Sequence, residues 1–349
     1  MIVVPDRALA PAIVAAVKGS VGDQGLDPIQ KSAMEAIAHD ILRLDVDIEL
    51  LEPLSPSQAA AAIEDPQIRL QVLQGMLALE MLQPASMDDT ETDEAKQRVS
   101  VAQADRIEEY SKAFGVKLSQ LATFRDRAEG HVRMMYVDMF GRTELRRAAI
   151  DTIQHSGLRN FVRNIVAMRG YGTVDAVADK YRRLEDLPDG TWGKQLAVMY
   201  QKNGWPYPGE SHGVPEPTAI HDWVHVASGY PPSSVGEVQV NAFMHATSPD
   251  PSSFGTVVLA LSLYGLGGIS LPIGNFTSKG ADLARGDIGT LYSEAVNRSI
   301  ATQTDFMMGI DHWGNAAKPV EQIRHQYGVG AKTVDIGEGD PGLPSYEPA

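Results

Sequence analysis

Helical spacing of apolar residues dominates the first third of the chain, where the two-residue alternation typical of strands is nearly absent. The clearest segments are Ile29 to Leu44, Pro66 to Leu82 and Glu94 to Phe114. Residues three or four apart lie on one face of a helix, so each segment presents an apolar stripe to a core. The pattern predicts an all-α fold with a helical bundle at its N-terminal end.

The length of the chain predicts more than one folded unit. It has 349 residues, whereas a single core typically serves roughly 100 to 200. Gly170-Tyr171-Gly172 interrupts the helical pattern and offers a boundary. We expect a helical domain at 1–125, a basic helical connector at 126–173, a second helical domain at 174–332 and a disordered tail at 333–349.

Charge and cysteine content exclude several classes of function. The formal net charge is -15, which argues against a chain-wide attraction to nucleic acid, so we expect no nucleic-acid partner. The chain has no cysteine, so a metal site must use His, Asp, Glu or backbone oxygen. The apolar run Ala8 to Val17 lacks the basic residues that begin a signal peptide, so we expect a cytoplasmic protein.

Basic residues gather in the connector. Arg159, Arg163 and Arg169 alternate there with apolar residues. Such a segment is either an amphipathic surface that contacts lipid or a connecting helix with a solvated basic face. The second interpretation is favoured, and peripheral contact with a membrane stays open.

A long uncharged run follows further along the chain. No charged residue occurs from Phe254 to Phe276, which is long enough for a membrane span. Several glycines and Pro272 interrupt it, so we expect a buried helix followed by a glycine-rich turn. The missing side chains at Gly265, Gly267 and Gly268 would leave a channel for an isoprenoid tail, or they would permit close helix packing.

The most informative motif is His221-Asp222-Trp223-Val224-His225, with Glu237 after eleven further residues. On a helix, His221 and His225 share one face and present their imidazoles to a common point. Asp222 lies about 100° around the helix. It can either join them as an oxygen ligand or orient one imidazole.

Glu237 is expected to reach this pair from a second helix. Gly229-Tyr230-Pro231-Pro232 should end the first helix, and Ser234-Val235-Gly236-Glu237 has the form of a capping box that begins the next. The alternatives are that Glu237 only completes the cap and that the histidines are ordinary polar residues. A metal site is favoured because the surrounding residues are apolar, where unpaired carboxylates are costly. Asp311-His312-Trp313 is the nearest rival, and we do not expect it to supply a ligand.

The motif His-Asp-x-x-His, eleven residues and Glu resembles the signature of the Coq4 family of ubiquinone-biosynthesis proteins. Leu187 to Gly193, Gly229 to Glu237 and Pro319 to Arg324 resemble flanking segments of that family, so the resemblance spans about residues 174–332. Residues 1–125, with an acidic turn at Met87 to Asp93, resemble TerB-like helical domains of tellurite-resistance-type proteins. That second resemblance implies an architecture and little about function, although a stress-response role remains an alternative.

The Coq4 resemblance implies a helical domain with a divalent metal held by His221, Asp222, His225 and Glu237, which would also be the catalytic residues. Zinc is the first expectation, with manganese, iron or magnesium as alternatives. One implied role is a metal-dependent decarboxylase, oxidoreductase or lyase that replaces a ring carboxylate with a hydroxyl group in ubiquinone or related secondary-metabolite biosynthesis.

The other implied role is a lipid-binding scaffold that organises biosynthetic enzymes around a structural metal. In both roles, the expected ligand is a hydrophobic, quinone-like or prenylated small molecule. Biosynthetic enzymes are the expected protein partners, and a homo-oligomer is the expected assembly.

Overall fold

The described part of the chain is helical. The computed structural model describes residues 1–22, 25–82, 101–128, 150, 153–154, 157–265, 283 and 285–334. Within these ranges the regular structure consists of α-helices and short 3-10 turns, with one isolated bridge between Thr191 and Pro319 and no strand. The predicted all-α fold is confirmed.

Six of the described helices belong to the N-terminal part. They are α1 (Ala10–Val21), α2 (Pro28–Asp40), α3 (Pro56–Ala62), α4 (Pro66–Glu80), α5 (Val101–Phe114) and α6 (Gln120–Ala128). The helices predicted from apolar spacing correspond to α2, α4 and α5. The acidic turn at Met87 to Asp93 and the tail from residue 335 onward lie outside the described residues.

Eight more described helices follow. They are α7 (Leu158–Met168), α8 (Asp175–Arg182), α9 (Trp192–Asn203), α10 (Glu216–Ser228), α11 (Ser234–Thr247), α12 (Phe254–Gly265), α13 (Ile288–Thr302) and α14 (Val320–Tyr327). The start of the uncharged run forms α12, as predicted, whereas Gly267 and Gly268 of the expected channel lie outside the described residues. Of the helices described, none is long and apolar enough to cross a membrane.

Side-chain caps define where the N-terminal helices begin. The Asp27 side chain accepts hydrogen bonds from the first turn of α2, and the Gln30 side chain accepts one from the backbone amide of Asp27. Ser55 and Gln58 form the same reciprocal pair at α3, and Asp65 caps α4. A proline follows each cap, where its missing N–H has no helical partner to lose. Local sequence therefore fixes these three starts.

Buried apolar residues of the N-terminal and C-terminal parts form one continuous core. Helix α2 packs against α13, and α13 packs against α11. At one crossing the backbones nearly touch, since a Cβ on Gly289 would lie 2.4 Å from the Cα of Ala33. The proposed boundaries at 125 and 173 stay a prediction, but the two parts share their packing within the described ranges.

The connector exposes an apolar stripe on α7. Leu158, Val162 and Val166 are 63%, 49% and 41% exposed, and their four-residue spacing places them on one face. Arg159 and Arg163 are exposed beside them. The described part of the connector is thus amphipathic with a basic edge, and lipid contact there stays a prediction.

Candidate metal centre

Two helices joined by a tight turn carry the predicted residues. Gly229, with φ at 78°, ends α10 in the left-handed conformation that favours glycine. The hydroxyl of Ser233 caps α11 by accepting a hydrogen bond from the Gly236 amide. The predicted capping box at Ser234 is therefore wrong by one residue, because the position that should reciprocate the cap is Gly236. The Glu237 carboxylate faces the histidines instead.

The side chains of His221, His225 and Glu237 converge. His225 Nε2 lies 3.2 Å from Glu237 Oε1, and His221 Nε2 lies 3.6 Å from Glu237 Oε2. One ligand atom from each of the three residues lies within 4.8 Å of the others. Donors about 2.1 Å from a tetrahedral ion stand about 3.4 Å apart. This cluster could therefore hold a metal ion with little rearrangement.

Backbone carbonyl groups orient both imidazole rings. His221 Nδ1 lies 2.7 Å from the Thr218 carbonyl oxygen, and His225 Nδ1 lies 2.9 Å from that of Tyr230. Each Nδ1–H donates to its carbonyl oxygen, so Nε2 is the atom left to bind a ligand. Metal-binding histidines are typically held in this way. The described residues thus fit a bound cation, because both Nε2 atoms are directed to the Glu237 carboxylate.

The cluster is largely buried, and His221 is its most exposed member. The side chain of His225 is 0% exposed and that of Glu237 is 9% exposed, whereas that of His221 is 21% exposed. Burial raises the pKa of Glu237, but the charge of His225 and the hydrogen bond from His221 outweigh it and hold that pKa below its usual range. Burial lowers the pKa of His221, yet the Asp222 carboxylate and Glu237 raise it to about 10. The carboxylates therefore favour a positive charge here, which a divalent ion would supply.

Asp222 lies beside the cluster and not within it. Its Oδ1 is 3.3 Å from His221 Nε2, and its Oδ2 accepts a hydrogen bond from the Tyr200 hydroxyl. Burial raises the pKa of Asp222. The group whose ligand atoms all lie within 4.8 Å consists of His221, His225 and Glu237. A role for Asp222 as fourth ligand stays a prediction, and it does not orient an imidazole through Nδ1.

Two buried arginines hold the end of α10, and the motif gave no sign of this role. Arg324 Nε donates to the Ala227 carbonyl, and Arg298 Nη2 donates to that of Ser228. These carbonyls end the helix and lack helical partners. Arg324 lies in the Pro319 to Arg324 segment, on which part of the predicted Coq4 resemblance rests, whereas no local pattern marks Arg298. Together they stabilise the helix end that leads into the turn.

Tyr230 connects this support to the cluster. Its hydroxyl donates to Glu294 Oε2 at 2.7 Å, and its carbonyl accepts from His225 Nδ1. Glu294 in turn lies 3.5 Å from Arg298. The His225 ring is thus positioned through the backbone carbonyl of a residue whose hydroxyl is held by Glu294.

His312 lies outside the cluster. Its Nε2 is 2.9 Å from the Phe306 carbonyl oxygen, and its ring packs against Trp192 and Trp223. Burial lowers its pKa to about 4, so the ring is neutral. These contacts give His312 a packing role.

The fold and the site define an all-α protein with a His–His–Glu cluster on a helix, turn, helix unit. No protein-family model matches the chain, and the curated proteins and solved structures compared with it include no match. The resemblance to the Coq4 family therefore stays a prediction from the motif and its flanking segments.

Proposed function

We propose that this chain is a Coq4-like, metal-dependent enzyme acting on a hydrophobic quinone-like or prenylated aromatic substrate. The observation that carries the proposal is the convergence of His221 Nε2, His225 Nε2 and the Glu237 carboxylate, with both Nδ1 atoms held by backbone carbonyls. Metal-binding histidines typically donate their second ring N–H to a carbonyl or carboxylate oxygen, which fixes the ring. A polar cluster without a metal does not require both imidazoles to be oriented in this way.

The partial exposure of His221 favours an enzyme over a scaffold. Structural zinc sites are usually closed by four protein ligands, whereas catalytic sites keep a position for water or substrate. Three residues here share one centre, and the His221 side chain is 21% exposed. A substrate oxygen would approach from the His221 side, because His225 is fully buried.

The proposed reaction replaces a ring carboxylate with a hydroxyl group. The bond between the ring and its carboxylate breaks, carbon dioxide leaves, and a new ring carbon–oxygen bond forms. The substrate loses two electrons in this exchange: water supplies the hydroxyl oxygen, and dioxygen accepts the two electrons and is reduced to hydrogen peroxide. A bound divalent ion would supply Lewis acidity for a phenolate or carboxylate oxygen.

The protein's own residues position that chemistry. The carbonyls of Thr218 and Tyr230 fix the rings, and the hydroxyl of Tyr200 holds the Asp222 carboxylate next to His221 Nε2. Asp222 is therefore placed to accept a proton beside His221. Two imidazoles with one carboxylate occur both in zinc hydrolases and in iron(II) oxygenases, so the donor set fits either metal, and of the two only iron can also exchange electrons with the oxidant.

Metal analysis tests the site directly. Protein purified without an affinity tag should contain nearly one equivalent of a divalent metal by mass spectrometry, and His225→Ala should lose it. His325→Ala is the matched control, because His325 is an exposed histidine on α14, and it should retain the metal. Equal metal content in the parent and His225→Ala would contradict the proposal.

A labelled substrate separates the enzyme from the scaffold. The metal-loaded protein would be incubated in air with a prenylated hydroxybenzoate that carries ¹³C in its carboxyl group. The enzyme releases labelled carbon dioxide and a hydroxylated ring, and Glu237→Gln abolishes both. Binding of the same compound without release of label would support the scaffold instead.

A further inference from the structure

An apolar cavity lies between the N-terminal helices and the helices that follow the metal motif. It has a volume of about 160 Å³, and α1, α2 and α4 face α11, α12 and α13 across it. Its walls are mainly aliphatic and include Val17, Met34, Ile37, Val72, Leu79 and Leu261. Protein interiors are normally packed as densely as organic crystals. A space of this size therefore calls for an explanation.

Gly75 opens this cavity without serving the packing of its own helix. It lies in the interior of α4, and a Cβ placed there would meet only Val17 Cγ2, at 4.0 Å. Gly289 lines the same cavity, but its Cβ would meet the Ala33 backbone at 2.4 Å. Close helix packing therefore explains why position 289 is a glycine, but it does not explain the glycine at position 75. Glycine is unfavourable in a helix interior, so the room it leaves is the feature to be explained.

The polar groups of the cavity wall are paired or neutral. The Gln71 side chain exchanges two hydrogen bonds with the backbone of Val3, both at 2.8 Å, and His245 Nδ1 lies 2.7 Å from Ser253 Oγ. Burial lowers the pKa of His245 to about 3 and raises that of Tyr292 to about 12. No Asp, Glu, Lys or Arg is among the described residues that line the cavity. The wall therefore offers no charge to a ligand.

We propose that this cavity binds the hydrocarbon chain of an uncharged ligand, with Gly75 as the residue that makes room for it. Apolar cavities of about 150 Å³ stay dry and take up small apolar molecules. The site is distinct from the metal centre, because Glu237 faces the histidines while its neighbour Val238 lines the cavity. The proposal does not depend on the enzymatic role of that centre.

Filling the cavity from Gly75 tests this assignment. The probe is farnesol, an uncharged isoprenoid alcohol, and binding is followed by its displacement of the neutral fluorophore N-phenyl-1-naphthylamine. The parent should bind farnesol, and Gly75→Leu should raise the dissociation constant about tenfold, since excluding about two methylene groups of the ligand has that effect. Gly75→Ala should raise it less, because it adds one carbon.

Three controls make the outcome decisive. Ala61→Leu adds the same side chain to an exposed position of α3 and should bind like the parent. Melting curves should show that Gly75→Leu is folded, and Gly75→Ala provides the test if it is not. His225→Ala should retain farnesol binding, which separates this site from the metal centre. The proposal is overturned if the parent does not bind farnesol, if the folded Gly75 variants bind like the parent, or if His225→Ala loses binding.

Discussion

Glu237 Oε1 lies 3.2 Å from His225 Nε2, although the two residues are 12 positions apart and belong to different helices. The contact depends on the turn between α10 and α11. Gly229 ends the first helix, and Ser233 caps the second in place of the predicted Ser234. Because the cap does not use the Glu237 side chain, its carboxylate is available to face both imidazoles.

Glu237→Gln should therefore remove the metal without unfolding the protein. The amide keeps the size of the side chain but loses its charge, and the charge is what holds a cation beside the two imidazoles. We expect metal content near zero by mass spectrometry, with an unchanged circular dichroism spectrum. Glu321→Gln changes an exposed carboxylate on α14 and should leave the metal content as in the parent. Full metal occupancy in Glu237→Gln would exclude it as a ligand.

Arg324→Met should destabilise the end of α10. Arg324 is 4% exposed, and it donates to the carbonyls of Ala227 and Val226. Hydrogen bonds from a charged group contribute about 1.5–3 kcal/mol each, so loss of the two should lower the free energy of unfolding in urea by about 3–6 kcal/mol.

The matched control removes the exposed partner of the same arginine. The side chain of Glu321, which lies 2.7 Å from Arg324 Nη1, is 72% exposed, and such a surface pair contributes about 1 kcal/mol or less. Glu321→Gln should therefore change the free energy of unfolding by less than about 1 kcal/mol. A similar loss in both variants would mean that the surface ion pair, and not the helix cap, is the stabilising contact.

Local spacing predicted the part of the centre that lies on one helix. The four-residue separation of His221 and His225 fixes their common face, and Gly229 followed by two prolines fixes the turn. The position of the cap was missed because Ser233 and Ser234 are adjacent and chemically equivalent. The position of the Asp222 carboxylate depends on a hydrogen bond from Tyr200, which lies on α9. Long-range contacts of that kind leave no periodic signal in a single sequence.

For the same reason, the sequence did not predict that buried arginines hold the end of α10 before the turn. Arg298 lies 70 positions from Ser228, whose carbonyl it binds. A basic residue on an amphipathic helix is usually solvated, so its burial at another helix end follows from tertiary packing. Apolar periodicity, by contrast, predicted α2, α4 and α5 because burial of a helix face is a local property of the chain.

The buried carboxyl group of Glu80 should make the stability of the fold depend on pH, independently of the metal centre. Burial raises its pKa, the positive charge of Arg106 opposes this shift, and the result is about 8 against an ordinary value of 4.5. Between these two values the unfolded chain is ionised at this position while the folded protein keeps the proton. The folded state therefore binds more protons, and the stability falls as the pH rises through this window.

Glu80→Gln should remove this part of the pH dependence. Urea unfolding of the variant should show a flatter fall in stability between about pH 5 and pH 8, and the variant should be more stable than the parent at alkaline pH. Glu64→Gln, at an exposed position, should reproduce the parent's profile. A parent profile that is already flat across this window would show that the Glu80 carboxyl does not titrate there.

Gly75 and Gly289 should respond in opposite directions to alanine. At Gly75 the new methyl group has room, with Val17 Cγ2 4.0 Å away, and replacing glycine in a helix interior by alanine stabilises by about 0.5–1 kcal/mol. At Gly289 the methyl group would collide with the Ala33 backbone at 2.4 Å, and such overpacking destabilises by about 1–3 kcal/mol. Urea unfolding of the two variants should therefore give changes of opposite sign. A loss of stability in Gly75→Ala as large as that in Gly289→Ala would show that packed side chains already occupy the space beside Gly75.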